Sequence, residues 1–360
     1  MNKIAIPNMG NYSIAFAAIA DAMGATPWIS PTTPEIVKLG YEVSPDSLCL
    51  PFKIFIGHFI KAAEEGVEYA VMVNGNGPCR LTYYRQLLQK ILDERGLKMH
   101  IFGLGDTGIK PPIIKHYDPP FFKFWRGALW ALQKMFLIDE IEKLAWKTRP
   151  REIKKGETST VTNQCLLELE AAKTGIEISI LKSKIFERFT AININTDKKV
   201  LKVALVGEAS VLRDKYLNHS MEELLGGLGV EVVNYFLLGV ELKNIFFPHL
   251  SGKHSKKHML EIAKPYLQTK VGGHALDSIA HSIICGEDSY DGVIHLCPSG
   301  CMPEISIRPI LRKVSSDYDL PVLECSFDEH TSHVGLVTRL EAYIDMLYDR
   351  RKKNGKEHNT

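Results

Sequence analysis

The chain has 360 residues, with 44 Lys and Arg against 42 Asp and Glu, a formal charge of +2, and 45% hydrophobic residues. That length supports two or three domains with full hydrophobic cores, and the even mixing of charge signs excludes the basic footprint of a nucleic-acid binder. Met1 to Gly10 lacks a charged start leading into a long apolar run, and no later stretch offers about 18 uninterrupted apolar residues. Neither a signal peptide nor a membrane span is expected, and the expected compartment is the cytoplasm.

Taken in chain order, Lys3 to Pro7 reads as a strand, Ser13 to Met23 as a helix, Glu68 to Val73 as a strand and Leu81 to Arg95 as a helix. This βαβ grammar predicts a mainly parallel sheet, so residues 1–110 read as an N-terminal α/β domain. From about Lys110 the pattern changes. The aromatic, helix-like run Phe121 to Trp146 holds three of the four Trp residues and suits packing within a core or against a partner. A polar stretch, Thr148 to Thr162, and another helix-like region around Cys165 complete a helical insertion or bridge over 111–200. A second α/β domain over 201–349 begins at Lys202-Val-Ala-Leu-Val-Gly-Glu208, with strands at Val230 to Tyr235, Gly292 to Leu296 and Pro321 to Ser326. Residues 350–360 are charged, have no apolar period and read as a disordered tail.

Two segments resemble each other. Glu68 to Cys79 and Asp291 to Cys301 both run from an apolar strand into a Gly- and Pro-containing turn that ends in cysteine, with Val71 and Val293 each eight positions before that cysteine. A helix-like stretch and, about 20 residues on, another strand follow each. The two halves therefore read as distant copies of one βαβ unit, with Cys79 and Cys301 at carboxyl ends of strands, where open α/β sheets build their sites.

Seven cysteines in a reducing compartment point to metal binding or chemistry rather than disulfides. Cys49 precedes a helix-like stretch starting near Pro51, Cys79 follows Asn74-Gly-Asn-Gly-Pro78, and Cys297 and Cys301 flank Pro298-Ser-Gly300 ahead of a helix near Pro303. All four read as turn cysteines at helix starts, where the helix dipole and free N–H groups lower a thiol's pKa. Four thiolates suit a [4Fe-4S] cluster. A four-cysteine zinc site competes, although structural zinc usually draws on two close pairs and only Cys297 and Cys301 are close. Cys165, Cys285 and Cys325 read as apolar core residues.

Other residues carry weaker signals. Lys53 and Arg80 closely follow cysteines and would neutralise an anionic cluster or phosphorylated ligand, with surface salt bridges as the plain alternative. Gly272-Gly-His274 opens a helix-like segment suited to an anion or to simple capping. Asp328-Glu-His330 follows the strand through Cys325 and suits a cleft role or a helix cap. His330 and His333 suggest a metal pair, but zinc is not assigned to them. No P-loop or dinucleotide glycine fingerprint follows a strand, so no bound nucleotide is expected.

Cys49-Leu-Pro-Phe-Lys53, Gly77-Pro-Cys-Arg80, Val271-Gly-Gly-His274, Cys297-Pro-Ser-Gly-Cys-Met-Pro-Glu304, Asp328-Glu-His-Thr331 and Val334 to Glu341 together resemble the acyl-CoA dehydratase activase-related proteins. These are relatives of the 2-hydroxyacyl-CoA dehydratase and benzoyl-CoA reductase subunits. The likeness covers nearly the whole chain. It departs where Ser299 stands in place of an aromatic and Leu81-Thr82 in place of Phe-Gly. The resemblance implies two flavodoxin-like or Rossmann-like domains enclosing an iron-sulfur cluster on Cys49, Cys79, Cys297 and Cys301, with a double-cubane cluster in some relatives. Lys53, Arg80, His274, Glu304, Glu329 and His330 are the expected cleft or ligand-binding residues. It also implies a separate ATP-hydrolysing activator carrying its own cluster, and an acyl-CoA or other small-molecule substrate. An oligomer is compatible with all of this. The expected role is a low-potential redox component, with a metal-stabilised protein-binding scaffold as the alternative.

Overall fold

A computed structural model of the chain describes residues 3–73, 75, 77–104, 112–247, 249, 252–269, 271–353 and 355. The N-terminal half runs β1 (Lys3–Ala5), α1 (Ser13–Met23), β2 (Thr26–Trp28), α2 (Pro34–Val43), α3 (Leu50–Glu64), β3 (Tyr69–Val73), α4 (Tyr84–Glu94), β4 (His100–Leu104) and α5 (Pro112–Tyr117). Three helices follow: α6 (Phe121–Thr148), α7 (Glu157–Ala171) and α8 (Gly175–Thr190). The C-terminal half opens with β5 (Leu201–Gly207), α9 (Ala209–Arg213), α10 (Met221–Gly227), β6 (Val230–Asn234), α11 (Leu238–Phe246), α12 (Lys256–Ala263) and α13 (Ala275–Glu287). It closes with β7 (Gly292–Pro298), α14 (Met302–Ser306), α15 (Arg308–Asp317), β8 (Val322–Phe327) and α16 (His333–Lys353).

Each half holds a four-stranded, all-parallel sheet, in the orders β2-β1-β3-β4 and β6-β5-β7-β8. The expected fold class is borne out: two Rossmann- or flavodoxin-like units with a helical segment between them in sequence. In both sheets the chain winds outward from its first strand and returns on that strand's other side, which makes a switch point between β1 and β3 and another between β5 and β7. The two strands singled out by the internal similarity, β3 and β7, occupy equivalent places. Central β5 and β7 are buried on both faces, which accounts for their nearly continuous apolar sequence.

The helix that matters most to the site is α3. Every residue from Leu50 to Ile60 is buried, and a helix that is apolar all round belongs inside a protein rather than on its surface. Phe52, Ile56, Phe59 and Ile60 join the core beneath the first sheet, while Leu50 and Ile54 join the core around β5, β6, β7 and β8. Each such side chain contributes about 2 kcal/mol on burial, so α3 holds the halves together. Tyr12 and Ala15 share a third core with α6, α7 and α8. Asp139 on α6, 2% exposed, accepts from Tyr12 Oη at 2.7 Å and from the backbone N–H groups of Gly239 and Val240 that start α11.

Three expectations need correction. The polar stretch is helical in its second half, because α7 starts at Glu157: the Glu152 carboxylate accepts from Gly156 and Thr158 N–H, and Thr162 donates back to the Thr158 carbonyl. The helix expected from Leu81 is instead a 3-10 turn, Arg80–Tyr83, followed by α4. Residues 350–353 belong to α16 rather than to a disordered tail. Arg351 grips Asp291 and the Val200 carbonyl there, and Arg350 donates to Asp319. The rest of the tail apart from Gly355, Asn74 and Asn76 of the cysteine turn, and the boundary near Lys110 lie outside the described residues. Among the described residues no helix is long and apolar enough to cross a membrane.

A polar knot also crosses between the halves. Asp214 accepts from Thr32 Oγ1 and from Asn8 Nδ2, and His58 Nε2 lies 3.1 Å from Thr32 Oγ1. Because the hydroxyl gives its proton to Asp214, His58 must donate from Nε2; its Nδ1 is buried without a partner. Burial pushes His58 down to about 4, so the unfolded chain takes up a proton that the folded one refuses. Stability is predicted to fall as pH drops from about 6.5 to about 4, by about 3 kcal/mol from this residue. Urea melts across that window check it: His58→Gln should flatten the slope, and an unchanged slope would remove His58 as the cause.

Candidate functional site

A cavity of about 340 Å³ lies where the carboxyl ends of the two sheets meet. Ile6 and Pro7 beyond β1, Val71 to Val73 of β3 and Leu104 of β4 line one side; Glu208 beyond β5, Phe236 beyond β6 and the start of α14 line the other. Three cysteines open onto it: Cys49, Cys79 and Cys301. Each is the N-cap of a helix, respectively α3, the 3-10 turn Arg80–Tyr83 and α14. The helix starts expected from Pro51 and Pro303 are where they should be, since proline in a first turn gives up only an N–H that has no partner anyway.

The three cysteine loops are interlocked. Leu50 N–H donates to the Ser299 carbonyl at 3.0 Å, tying the Cys49 turn to the Cys301 turn. Gly300 adopts φ +70°, and a Cβ there would stand 3.0 Å from Cys49 Cα. Gly272, at φ +82°, packs so that a Cβ would reach within 2.6 Å of Cys79 N. Glycine is needed at both places for conformation and for close approach. Arg80 closes the third side, donating to the Ser47 carbonyl and, from Nε, to Met302 Sδ at 3.3 Å. Tyr84 Oη is hydrogen-bonded to Cys49 Sγ.

Cys297 is not in this group. It lies within β7, fully buried, in register with Ser326 and beside Arg308, and it is not among the residues lining the cavity. The strand runs on through Pro298, so the turn shrinks to Ser299 and Gly300, and Cys297 is a strand residue rather than a turn residue. Cys165, Cys285 and Cys325 are buried in α7, α13 and β8, as expected of core residues. All seven cysteines are free thiols.

Of the other expected site residues, His274 and Glu304 line the cavity. His274 Nδ1 is 3.3 Å from Asp277 Oδ2 and its ring meets Phe236 edge-on. Glu304 is fully buried, with Oε2 bound to His295 Nε2 at 2.8 Å and to Ser278 Oγ at 3.1 Å, while Oε1 has no partner. Lys53 turns away: its ammonium sits 3.9 Å from the centre of the Tyr41 ring. Arg80 acts on the loops rather than on the cavity. Glu329 lines a different cavity with His219 and His333, and His330 is exposed beside it. Three residues escaped the sequence reading: Tyr84, Glu208 and Arg213. Gly207-Glu208 at the end of an apolar strand was the available signal, since Gly207 sits at φ +136° against the Leu296 carbonyl and aims Glu208 at the cavity.

Burial governs the thiols. It pushes Cys49 up to about 11, against the opposing Tyr84 hydroxyl and Phe52 N–H. It raises Cys79 against the Leu81 N–H, and raises Cys301 further with help from Glu208 and Glu304. The expected thiolate-favouring effect of helix starts is thus outweighed by lost hydration. Among the described residues no three His, Cys, Asp or Glu side chains gather tightly enough to hold a single metal ion. Comparison of the chain with protein-family models finds no match, and comparison with curated proteins finds no matching relative.

Alkylation tests this electrostatic picture. In protein stripped with a chelator, half-buried Cys79 should react with iodoacetamide before Cys49 and Cys301. The Cys49 rate should rise about tenfold per pH unit between roughly pH 7 and 10. Mass spectrometry of time points resolves the sites. Modification of Cys49 at neutral pH as fast as a free thiol would show that burial does not hold its proton.

Proposed function

We propose that the chain is a cytoplasmic redox component in which Cys49, Cys79 and Cys301 hold an iron-sulfur cluster in the cleft between its two α/β units. The observation that carries this reading is that three cysteines, from three separate loops and both halves of the chain, line one cavity at the sheets' carboxyl ends. Thiols are the donors an iron-sulfur cluster takes, and the unpartnered Glu304 Oε1 on the same wall offers an oxygen donor beside them. A cluster bound there would supply one-electron chemistry. The likeness of the Cys49, Gly77-Pro-Cys79 and Cys301 segments to the acyl-CoA dehydratase activase-related proteins supports the same assignment.

The chain's own residues serve this role in distinct ways. Phe16, Phe55, Phe236 and Leu238 exclude water from most of the cavity wall. Arg80 and the two glycine contacts hold the three loops at fixed spacing. Glu208, whose carboxyl is raised by burial while it accepts from Ser210 N–H, Ser210 Oγ and Val211 N–H, lines the cavity edge, and His274, oriented by Asp277, lines the same cavity. Two ionisable side chains beside a redox centre suit reduction of a small organic substrate, for which an acyl-CoA is the class the resemblance names.

Replacement of Cys49, Cys79 or Cys301 by Ala should lower iron and sulfide content of anaerobically purified protein by about tenfold or more. Cys297→Ala and Cys165→Ala should retain both. Loss of the cluster from Cys297→Ala with normal folding would restore the four-cysteine set, and stoichiometric zinc without sulfide would reject the redox reading in favour of a metal-stabilised scaffold.

The chain carries no nucleotide-phosphate loop in its sequence, so low-potential reduction is assigned to a separate ATP-hydrolysing activator. With a ferredoxin-strength donor alone the centre should stay oxidised; adding activator and MgATP should reduce it, as read by EPR and absorbance. Full reduction by the donor alone would exclude ATP coupling and leave the cluster assignment standing.

A further inference from the structure

Helix α1 separates two cavities. Phe16 lines the cysteine cavity, whereas Ile14, Ala17, Ala18 and Ala22 line a second of about 250 Å³, shared with α6 and the end of α7. The helices touch closely here: a Cβ on Gly127 of α6 would come within 2.3 Å of the Ala22 Cβ. The apolar wall is therefore made of small, fixed residues with Trp130 beside them.

The polar part of this cavity is cationic. Lys134 is 3% exposed, yet its ammonium has one protein acceptor, the Glu170 carbonyl at 3.2 Å, and no carboxylate within ion-pair distance among the described residues. Capping the end of α7 uses one of its three N–H donors. Burial, and then Lys173, push Lys134 down to about 8, against the opposing carboxylates of Asp21, Glu170 and Glu177. Lys123 and Arg126 stand at the exposed rim, the latter 5.1 Å from the centre of the Trp130 ring. Lys173 has a loose partner in Asp21 at 3.8 Å. The lining thus offers four cations, Lys123, Arg126, Lys134 and Lys173, against the two acids Asp21 and Glu170, a surplus of two positive charges.

We propose that this cavity binds a phosphate monoester, with the phosphoryl group on Lys134, Lys173 and Arg126 and the organic group against Ala17, Ala18 and Trp130. A phosphoryl group with charge near −2 at neutral pH matches the surplus, whereas a carboxylate neutralises half of it. The site is separate from the cysteine cavity and does not depend on what those cysteines hold.

Calorimetry on the full-length protein at fixed ionic strength tests this, with phenyl phosphate and inorganic phosphate as ligands and phenylacetate as the carboxylate control. Phenyl phosphate should bind saturably and more tightly than inorganic phosphate, and phenylacetate at least about tenfold more weakly. Lys134→Met should weaken phenyl phosphate about tenfold or more, and Arg126→Gln, on the exposed rim, several-fold. Should Lys134→Met fail to fold, Arg126→Gln decides alone. Equal binding of phenylacetate, no saturable binding, or undiminished binding by folded variants would overturn the proposal.

Discussion

The structure depends on α3 having no face that tolerates water. A helix with Phe52, Ile54, Phe55, Ile56, Phe59 and Ile60 in one run has to be covered on all sides, and neither sheet alone covers more than part of it. Side chains of both α/β units therefore share in covering α3. Cys49 caps that helix, so its sulfur is carried to the seam between the halves by the same burial that makes the seam. The site is a consequence of docking: Cys79 belongs to the first unit, Cys301 to the second, and Cys49 to the helix wedged between them.

Placing thiols at a seam has an electrostatic consequence. Helix starts favour thiolates, but each N-cap here is enclosed by apolar walls, and the desolvation of a charged sulfur outweighs a partial charge of about half a unit at a helix end. Were a metal centre bound there, thiols kept protonated by burial would have to give up their protons, which would link binding to pH and to metal charge. The carboxylates of Glu208 and Glu304 on the same wall act in the same direction, since they too disfavour bare thiolates.

The repeat relating the halves is real in topology and incomplete in chemistry. β3 and β7 occupy the same place in sheets of the same order, and each leads through a glycine-bearing turn to a cysteine at a helix start. What differs is where the strand ends. β7 pairs with β8 as far as Pro298↔Phe327, and that added length draws Cys297 into the sheet, whereas β3 stops at Val73, well short of Cys79.

Most of the architecture was legible in the sequence, because strand and helix periods are local and βαβ alternation leaves few topologies open. Ser13 to Met23, the four strands of the second unit, and the helix starts after Cys49 and Cys301 could all be read from apolar period, proline and glycine. Spacing along the chain could not tell whether Cys297 ends a strand or begins a turn, since that is set by register against β8. Nor could it foresee that Lys53 would lie on Tyr41, that Glu329 would face another cavity, or that Tyr84, Glu208 and Arg213 would join the cysteines. Those placements depend on which faces of α3, α4 and α9 become the seam between the units. The sequence alone determined two parallel α/β units with cysteines at their carboxyl ends. Only tertiary packing decided which cysteines share one space, because side chains distant in sequence meet only once both cores have closed on the same helix.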